Sequence, residues 1–389
     1  MQTETKKKDR EPLIQISKRP AMVWWKSYSI RAGALLAAFL LCVILASLLT
    51  KKNLFELFKR MIVYPFCVDK KGSTVFLSDK LWDLLKELAL LLCVALALTP
   101  AFKMRFWNIG AEGQILMGAY GCYIVLRFLT GKVPTPILYI LMVAASLLFG
   151  AVWGAIPAIF KAFFGTNETL FTLMMNYVAA CLIEFSILYF KWGATPKMNY
   201  TGMINRKGEY KHVGWLPEIF GQKYLMIVLI VAVLTVLLYI YLRYSKHGYE
   251  LSVVGESEKT AKYIGINVKK VIIRTMILSG ALCGIAGLIV VSGTDHALKM
   301  DSSGGRGFTA IMVTWLAHFN PAYMALTSFL IVFVQRGAKE LSSAYAQISD
   351  SFADVLVGLI LFFIIGCEFF INYRVRIHLP RKRKEEIEE

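Results

Sequence analysis

This sequence lacks the loops that hold nucleotides and the signatures of common hydrolases. No Gly-x-x-x-x-Gly-Lys-Ser/Thr stretch is present to cradle the phosphates of ATP. Neither His-Glu-x-x-His nor Gly-x-Ser-x-Gly occurs, and the five histidines (His212, His247, His296, His318 and His378) are never spaced four apart as zinc ligands on a helix would be. The seven cysteines form no Cys-x-x-Cys pair, and all but Cys67 fall in or beside apolar segments. A disulfide framework or zinc site needs cysteines clustered in loops, so these read as small reduced hydrophobes, and no metal or other cofactor is expected. Charge is scarce as well. Charged residues make up 18% of the 389, whereas soluble chains carry about a quarter. Hydrophobic residues make up 57% and the mean hydropathy is +0.56, which excludes a soluble globular enzyme.

What the chain has instead is long apolar blocks. They run over 32–49, 84–102, 115–129 after the mixed stretch 106–114, 136–164, 170–190, 224–242, 271–291, 307–319, 322–335 and 352–371, and most match the roughly 20 residues a helix needs to cross a bilayer. The pattern predicts an all-α, polytopic transmembrane bundle of about ten spans, with Pro157 interrupting the fourth and Asn320-Pro321 separating two half-helices. A basic leader (1–31) and a charged tail (373–389) flank a membrane domain (32–372). The leader holds eight Lys or Arg and the tail contains Arg381-Lys382-Arg383-Lys384, so both ends are expected in the cytoplasm, facing anionic lipid. No aromatic residues interleave with these basic runs, which argues against nucleic acid. The stretches near 103–110, 161–168, 245–270 and 319–321 are then expected on the inner side. The outer stretch 50–83 carries seven Lys or Arg against four Asp or Glu, an excess that runs against this orientation.

Polar groups inside apolar blocks are the candidate site. Asn108, Glu112 and Gln114 surround Gly110 and Gly113. A carboxylate at bilayer depth is expensive unless it faces a cavity or a partner, and paired glycines beside it suggest a broken helix lining a cavity. An interfacial loop in which Glu112 pairs with Arg105 is the equal alternative. Asn167-Glu168 reads as a helix cap. Asn176 lies within the next span, suited either to a flat polar ligand or to a helix–helix hydrogen bond, with Glu184 near the same face. Asp295, His296, Trp315, His318 and Asn320 are weaker candidates. Gly304-Gly305-Arg306-Gly307 lacks the Lys-Ser of a phosphate loop and reads as a turn. Gly150/Gly154 and Gly280/Gly284 permit close helix packing within the bundle. Between Gly255 and Gly265 a short amphipathic stretch carries Ala261 and Ile264 on one face, with Glu256, Glu258, Lys259 and Lys262 around it. It fits either a docking helix or a plain connector.

Several segments also resemble a known family. Phe106-Trp107-Asn108-Ile109-Gly110-Ala111-Glu112-Gly113-Gln114 resembles the F-N-I-G-x-E-G-Q signature of nucleoside permeases of ABC importers, with Trp107 inserted; these belong to a larger group serving simple sugars and branched-chain amino acids. Asn167-Glu168 followed by Thr172-Leu173-Met174-Met175-Asn176-Tyr177 is similar to that family's H-E-x-x-x-T-I-M-M-N-Y, with Asn167 in place of His. Gly248-Tyr249-Glu250-Leu251 and Tyr263-Ile264-Gly265-Ile266 resemble its cytoplasmic loop, and Ser279-Gly280-Ala281-Leu282 its next helix. His318-Phe319 and the charged run Arg336 to Glu340 depart from the pattern.

The resemblance implies a permease subunit in the plasma membrane that carries a nucleoside or related sugar. It implies as partners a second, different permease subunit, a cytoplasmic ABC ATPase and an extracytoplasmic binding lipoprotein. Asn108, Glu112, Gln114 and Asn176 would line the path. Gly255, Glu256, Ala261, Ile264 and Gly265 would couple to the ATPase, with Ala261 and Ile264 seated in a groove on it. By the residues alone, an ion-coupled secondary transporter stands level with this reading, since it too uses broken helices and buried carboxylates.

Overall fold

The computed structural model describes residues 14–19, 24–70, 73–193, 200–348 and 351–377; the basic clusters expected at 6–10 and 381–384 lie outside them. The described chain is mostly helical. In order come strand β1 (Ile14–Lys18), helices α1 (Trp24–Thr50) and α2 (Leu54–Val63), strands β2 (Cys67–Lys70) and β3 (Ser73–Phe76), and helices α3 (Ser78–Lys103), α4 (Ala111–Leu129), α5 (Thr135–Phe164), α6 (Glu168–Tyr189) and α7 (Leu225–Tyr244). Two short helices follow, α8 (Lys246–Glu256) and α9 (Glu258–Tyr263), then α10 (Val268–Leu288), which continues as a π-helical turn, Ile289–Thr294. Helices α11 (Arg306–Leu316), α12 (Pro321–Ala344) and α13 (Phe352–Asn372) and strand β4 (Tyr373–Ile377) complete the chain.

The chain divides into two units, residues 1–64 with 334–389, and residues 65–333. In the first, α1 packs along α13 and β1 pairs antiparallel with β4, from Ile14 opposite Ile377 to Lys18 opposite Tyr373. The segments preceding α1 and following α13 therefore lie side by side. Gly337 sits against the backbone of Met61 in α2, where an added Cβ would stand 2.6 Å from the Met61 carbonyl oxygen. Helix α12 was expected to stop near Gln335 but runs through the charged turn to Ala344.

The second unit is built around α10, which packs on α5, α4 and α3. The helix backbones of α5 and α10 touch: a Cβ on Gly150 would run into the carbonyl oxygen of Gly280, and one on Gly284 into that of Ser146. This is the close packing the glycine pairs predicted. Lipid offers no hydrophobic drive for helices to associate, so close backbone contact supplies the dispersion that holds them. The most apolar windows of α3 and α10 are 78% and 72% buried, against 22–33% in α5, α6 and α7. The first two are the interior and the other three present apolar faces outward.

Among the described residues, five helices are long and apolar enough to cross a membrane: α3, α5, α6, α7 and α10 with its extension. Helix α5 runs unbroken through Pro157, as membrane helices can when neighbours hold the backbone. Helix α11, with 11 residues, rises only about 16 Å, a half-helix as expected. The 245–270 segment holds two helices rather than one bounded by glycines. The break falls at Ser257, whose hydroxyl accepts from Thr260 N at 3.2 Å and so starts α9, leaving Gly255 inside α8.

The stretches expected on one side do meet at one end of this unit. Gly255 lies against the carbonyl of Lys103, Lys269 sits 4.8 Å over the ring of Phe163, and Trp107 stacks on Trp315, which meets Phe319 edge-on. At the opposite end Arg306 pairs with Glu87 at 2.9 Å and Lys86 lies over Tyr224.

Candidate functional site

The site forms where α4 begins inside the bundle. After α3 ends, residues 104–110 turn back, and α4 starts within the bundle, Gly110 lying against Thr172 four residues along α6. Asn108 bonds Ser279, eleven residues along α10 and so about 16 Å from that helix's start. Asn176 lies eight residues along α6, about 12 Å in. Both α6 and α10 are long and apolar enough to cross a membrane, so the cluster lies well inside their lengths.

Every amide here is used. Asn108 Nδ2 donates to Gln114 Oε1 (3.2 Å) and to Ser279 Oγ (3.3 Å), and Gln114 Nε2 returns a bond to Asn108 Oδ1 (3.3 Å). Gly110 precedes α4 and has no side chain with which to cap it. The cap comes from across the bundle: Gly113 N donates to Asn176 Oδ1 at 2.8 Å, while Asn176 Nδ2 donates to Ile109 O at 2.9 Å. Thr172 Oγ1 accepts from Ile109 N at 3.2 Å. Helix α11 has the same problem, since Gly305 precedes it in a left-handed conformation with no side-chain cap. The carboxylate of Glu112 supplies one, accepting from Gly307 N at 2.5 Å and Phe308 N at 3.4 Å. A carboxylate at a helix N-terminus meets both free N–H groups and the positive end of the dipole.

Asn108, Gln114 and Asn176 therefore come together around Gly110 and Gly113, and Glu112, on the same turn, reaches to α11 instead. All four are buried. The alternative in which Glu112 pairs with Arg105 in water does not hold. The premise that these groups lack partners does not hold either, because buried helix ends consume them. The orphan is a residue the pattern had not marked. Trp153 Nε1 in α5 is buried with no acceptor, beside Gly113 and Asn176. An indole inside an apolar helix gives no sign in sequence of which way its N–H points, and Ser279 and Thr172 stood within family-like segments without a role of their own.

The second set of residues is arranged differently from expectation. Ala261 is fully buried within its own chain, and Gly255 is pressed on the Lys103 backbone. Ala261 is thus not a knob for a partner's groove. A face that reads as amphipathic in a six-residue helix is here spent on packing against the chain itself. Glu256 is exposed, Ile264 is 51% exposed, and Tyr263, unmarked in the sequence, is 92% exposed. Gly265 has φ +86°, which ends the turn. Arg274 of α10 pairs with Glu250 of α8 and ties the two together.

The remaining candidates fall elsewhere. Asn167 Oδ1 accepts from Leu170 N, the cap its position predicted, and Glu168 pairs with Lys161 at 2.7 Å. Gly304 and Gly305 form a turn with positive φ. His296 lies at the opposite end, its ring 3.7 Å from that of Trp215, and burial pushes its pKa down to about 4. Among the described residues no three His, Cys, Asp or Glu side chains gather as a metal would require.

Comparison with known proteins completes this picture. The family model described as the branched-chain amino acid transport system / permease component matches residues 81–365, most of the chain and all of the site. The chain belongs to that family. Similar proteins include the guanosine ABC transporter permease protein of Bacillus subtilis, 28% identical over 292 residues (75% of this chain, 80% of the relative). The glucose ABC transporter permease protein TsgB13 of Haloferax volcanii is 26% identical over 307 residues (75% and 77%). The nucleoside ABC transporter permease protein NupB of Lactococcus lactis is 26% identical over 307 residues (77% and 82%). The protein is thus a permease component of an ABC importer, a multi-pass protein of the plasma membrane, and in such systems ATP is hydrolysed by a separate subunit. The permease works together with that ATPase and with other permease subunits. A secondary transporter is not supported.

Proposed function

We propose that this permease carries a nucleoside, paired in a heterodimer with a second permease subunit and fed by an extracytoplasmic binding lipoprotein. Two of the three relatives described are named for nucleosides or guanosine, which supports this substrate over glucose. The path passes the start of α4, along Asn108, Glu112, Gln114 and Asn176. The observation that carries this placement is the orphan Trp153 Nε1: a buried donor within the bundle, beside an amide cluster, needs an acceptor that a passing polar solute supplies. The amides already bonded to one another can exchange those bonds for ribose hydroxyls or base edges. They would hold the solute weakly, as a conduit requires.

The chain crosses the membrane about ten times with both ends in the cytoplasm. The pairing of β1 with β4 supports this, since it sets the first and last segments side by side. Within residues 65–333, the meeting of the 103–110, 161–168, 245–270 and 319–321 stretches at one end supports their lying on a single side, with lipid covering the outward apolar faces. The ATPase is met by the exposed part of the α8–α9 turn, Glu256, Tyr263, Ile264 and Gly265, with Gly255 and Ala261 holding that turn in place from within. Reconstitution of the complete importer in liposomes tests the assignment. ATP-dependent uptake of labelled guanosine or other nucleosides, competed poorly by glucose, is the expected result. Uptake of glucose but of no nucleoside would overturn the substrate, and nucleoside uptake unchanged in Trp153→Phe and Asn176→Ala would overturn the path.

A further inference from the structure

The residues joining α7 to α10 enclose a half-open cavity of about 410 Å³ at the end of the unit opposite Glu87 and Arg306. Lys246, Lys270 and Arg274 line it against one carboxylate, Glu250. That carboxylate is committed to Arg274 Nη2, and neither lysine makes an ion pair among the described residues. The cavity also flanks the first turn of α10, whose N-terminus carries partial positive charge. Excess cationic charge and a helix N-terminus border one space.

We propose that this cavity binds a net-anionic phosphate group, with Lys246 and Lys270 supplying the charge beside the Arg274–Glu250 pair. A phosphate alone would leave most of the volume empty. Ile266 gives the cavity an apolar wall on which the organic part of the ligand, a glycerol or a nucleoside body, can rest. Two sources offer this chemistry. Helix α7 ends at Tyr244 and α10 begins at Val268, so the opening lies where anionic lipid headgroups meet the apolar layer. A soluble phosphomonoester would reach it from the aqueous side. Either way the bound group links α8 to α10 across residues 264–267 and stiffens the turn that bears Tyr263 and Ile264. The site does not depend on which solute the permease carries.

The purified full-length chain in nanodiscs tests this. In discs of phosphatidylcholine alone, titration with adenosine 5′-monophosphate reads the soluble source; in discs with added phosphatidylglycerol, the unfolding midpoint and lipid counts by native mass spectrometry read the lipid source. A saturable rise in midpoint in either arm supports the site and identifies its ligand. In Lys246→Gln/Lys270→Gln binding should weaken about tenfold or more, since both charges that attract the phosphate are removed. Both lysines are exposed, so the variant's midpoint in plain phosphatidylcholine should match the parent's. Lys270→Gln alone repeats the measurement should the double variant be unstable. No rise in either arm, or an equal rise in the variants, overturns the proposal.

Discussion

The start of α4 and the α8–α9 turn were both marked from sequence as places of function, and the fold treats them in opposite ways. At the start of α4 polar side chains are buried, and what they do is cap two helices that begin inside the bundle. At α8–α9 the apolar side chain at the centre, Ala261, is buried, and what remains on the surface is Glu256, Tyr263 and Ile264. In each case the residue that looked free is held by its own chain. What remains unpaired or exposed is a neighbour: Trp153 Nε1 in the first, Tyr263 in the second. Demands of the fold are met before function draws on the residues that remain.

The largest test of this contrast is Ala261→Asp. If Ala261 is an internal packing residue, a buried carboxylate without a partner costs several kcal/mol and should lower the unfolding midpoint of the permease itself, measured without the ATPase. Normal stability with loss only of ATPase binding would return Ala261 to the partner surface. Next is Asn176→Ala, which leaves Gly113 N and Ile109 O without their partner and should cost about 1–3 kcal/mol while uptake falls. Unchanged stability and uptake would mean that water replaces the cap.

Glu112→Gln is expected to be milder. The amide oxygen can still accept from Gly307 N, and the lost charge at the α11 N-terminus is worth about 1 kcal/mol. Uptake falling much further than stability would show the carboxylate acting on the solute as well as on α11. The smallest effects belong to the exposed turn. Ile264→Ser should leave the stability within about 0.5 kcal/mol of the parent's yet reduce ATP hydrolysis coupled to uptake, and Glu258→Ala should be nearly silent in both. Equal loss of coupling in the two would point to charge rather than apolar contact at that surface.

Residue by residue, the legible parts share one property: they are local. The apolar blocks at 84–102, 170–190 and 224–242 became α3, α6 and α7, because twenty apolar residues in lipid have no choice but to close their own backbone bonds. Asn167 capped α6 and Gly304-Gly305 turned, since both are decided within four residues. The glycine pairs announced close packing through the absence of a side chain. The α9 boundary was misjudged because Ser257 as a cap competes with Gly255 as a breaker, and only the contact of Gly255 with Lys103 decides between them.

Composition and periodicity alone determined that this chain is a helical membrane protein with polar residues in costly places, because water–lipid partition acts on each segment separately. Tertiary structure alone decided what those residues do. Whether Glu112 faces water, a solute or the N-terminus of α11 depends on where a helix almost two hundred residues later begins. Whether Ala261 is an anchor or a filler depends on which of its neighbours' surfaces closes over it. A hydrogen-bond donor is satisfied by geometry, and geometry between distant segments is not written in any one of them.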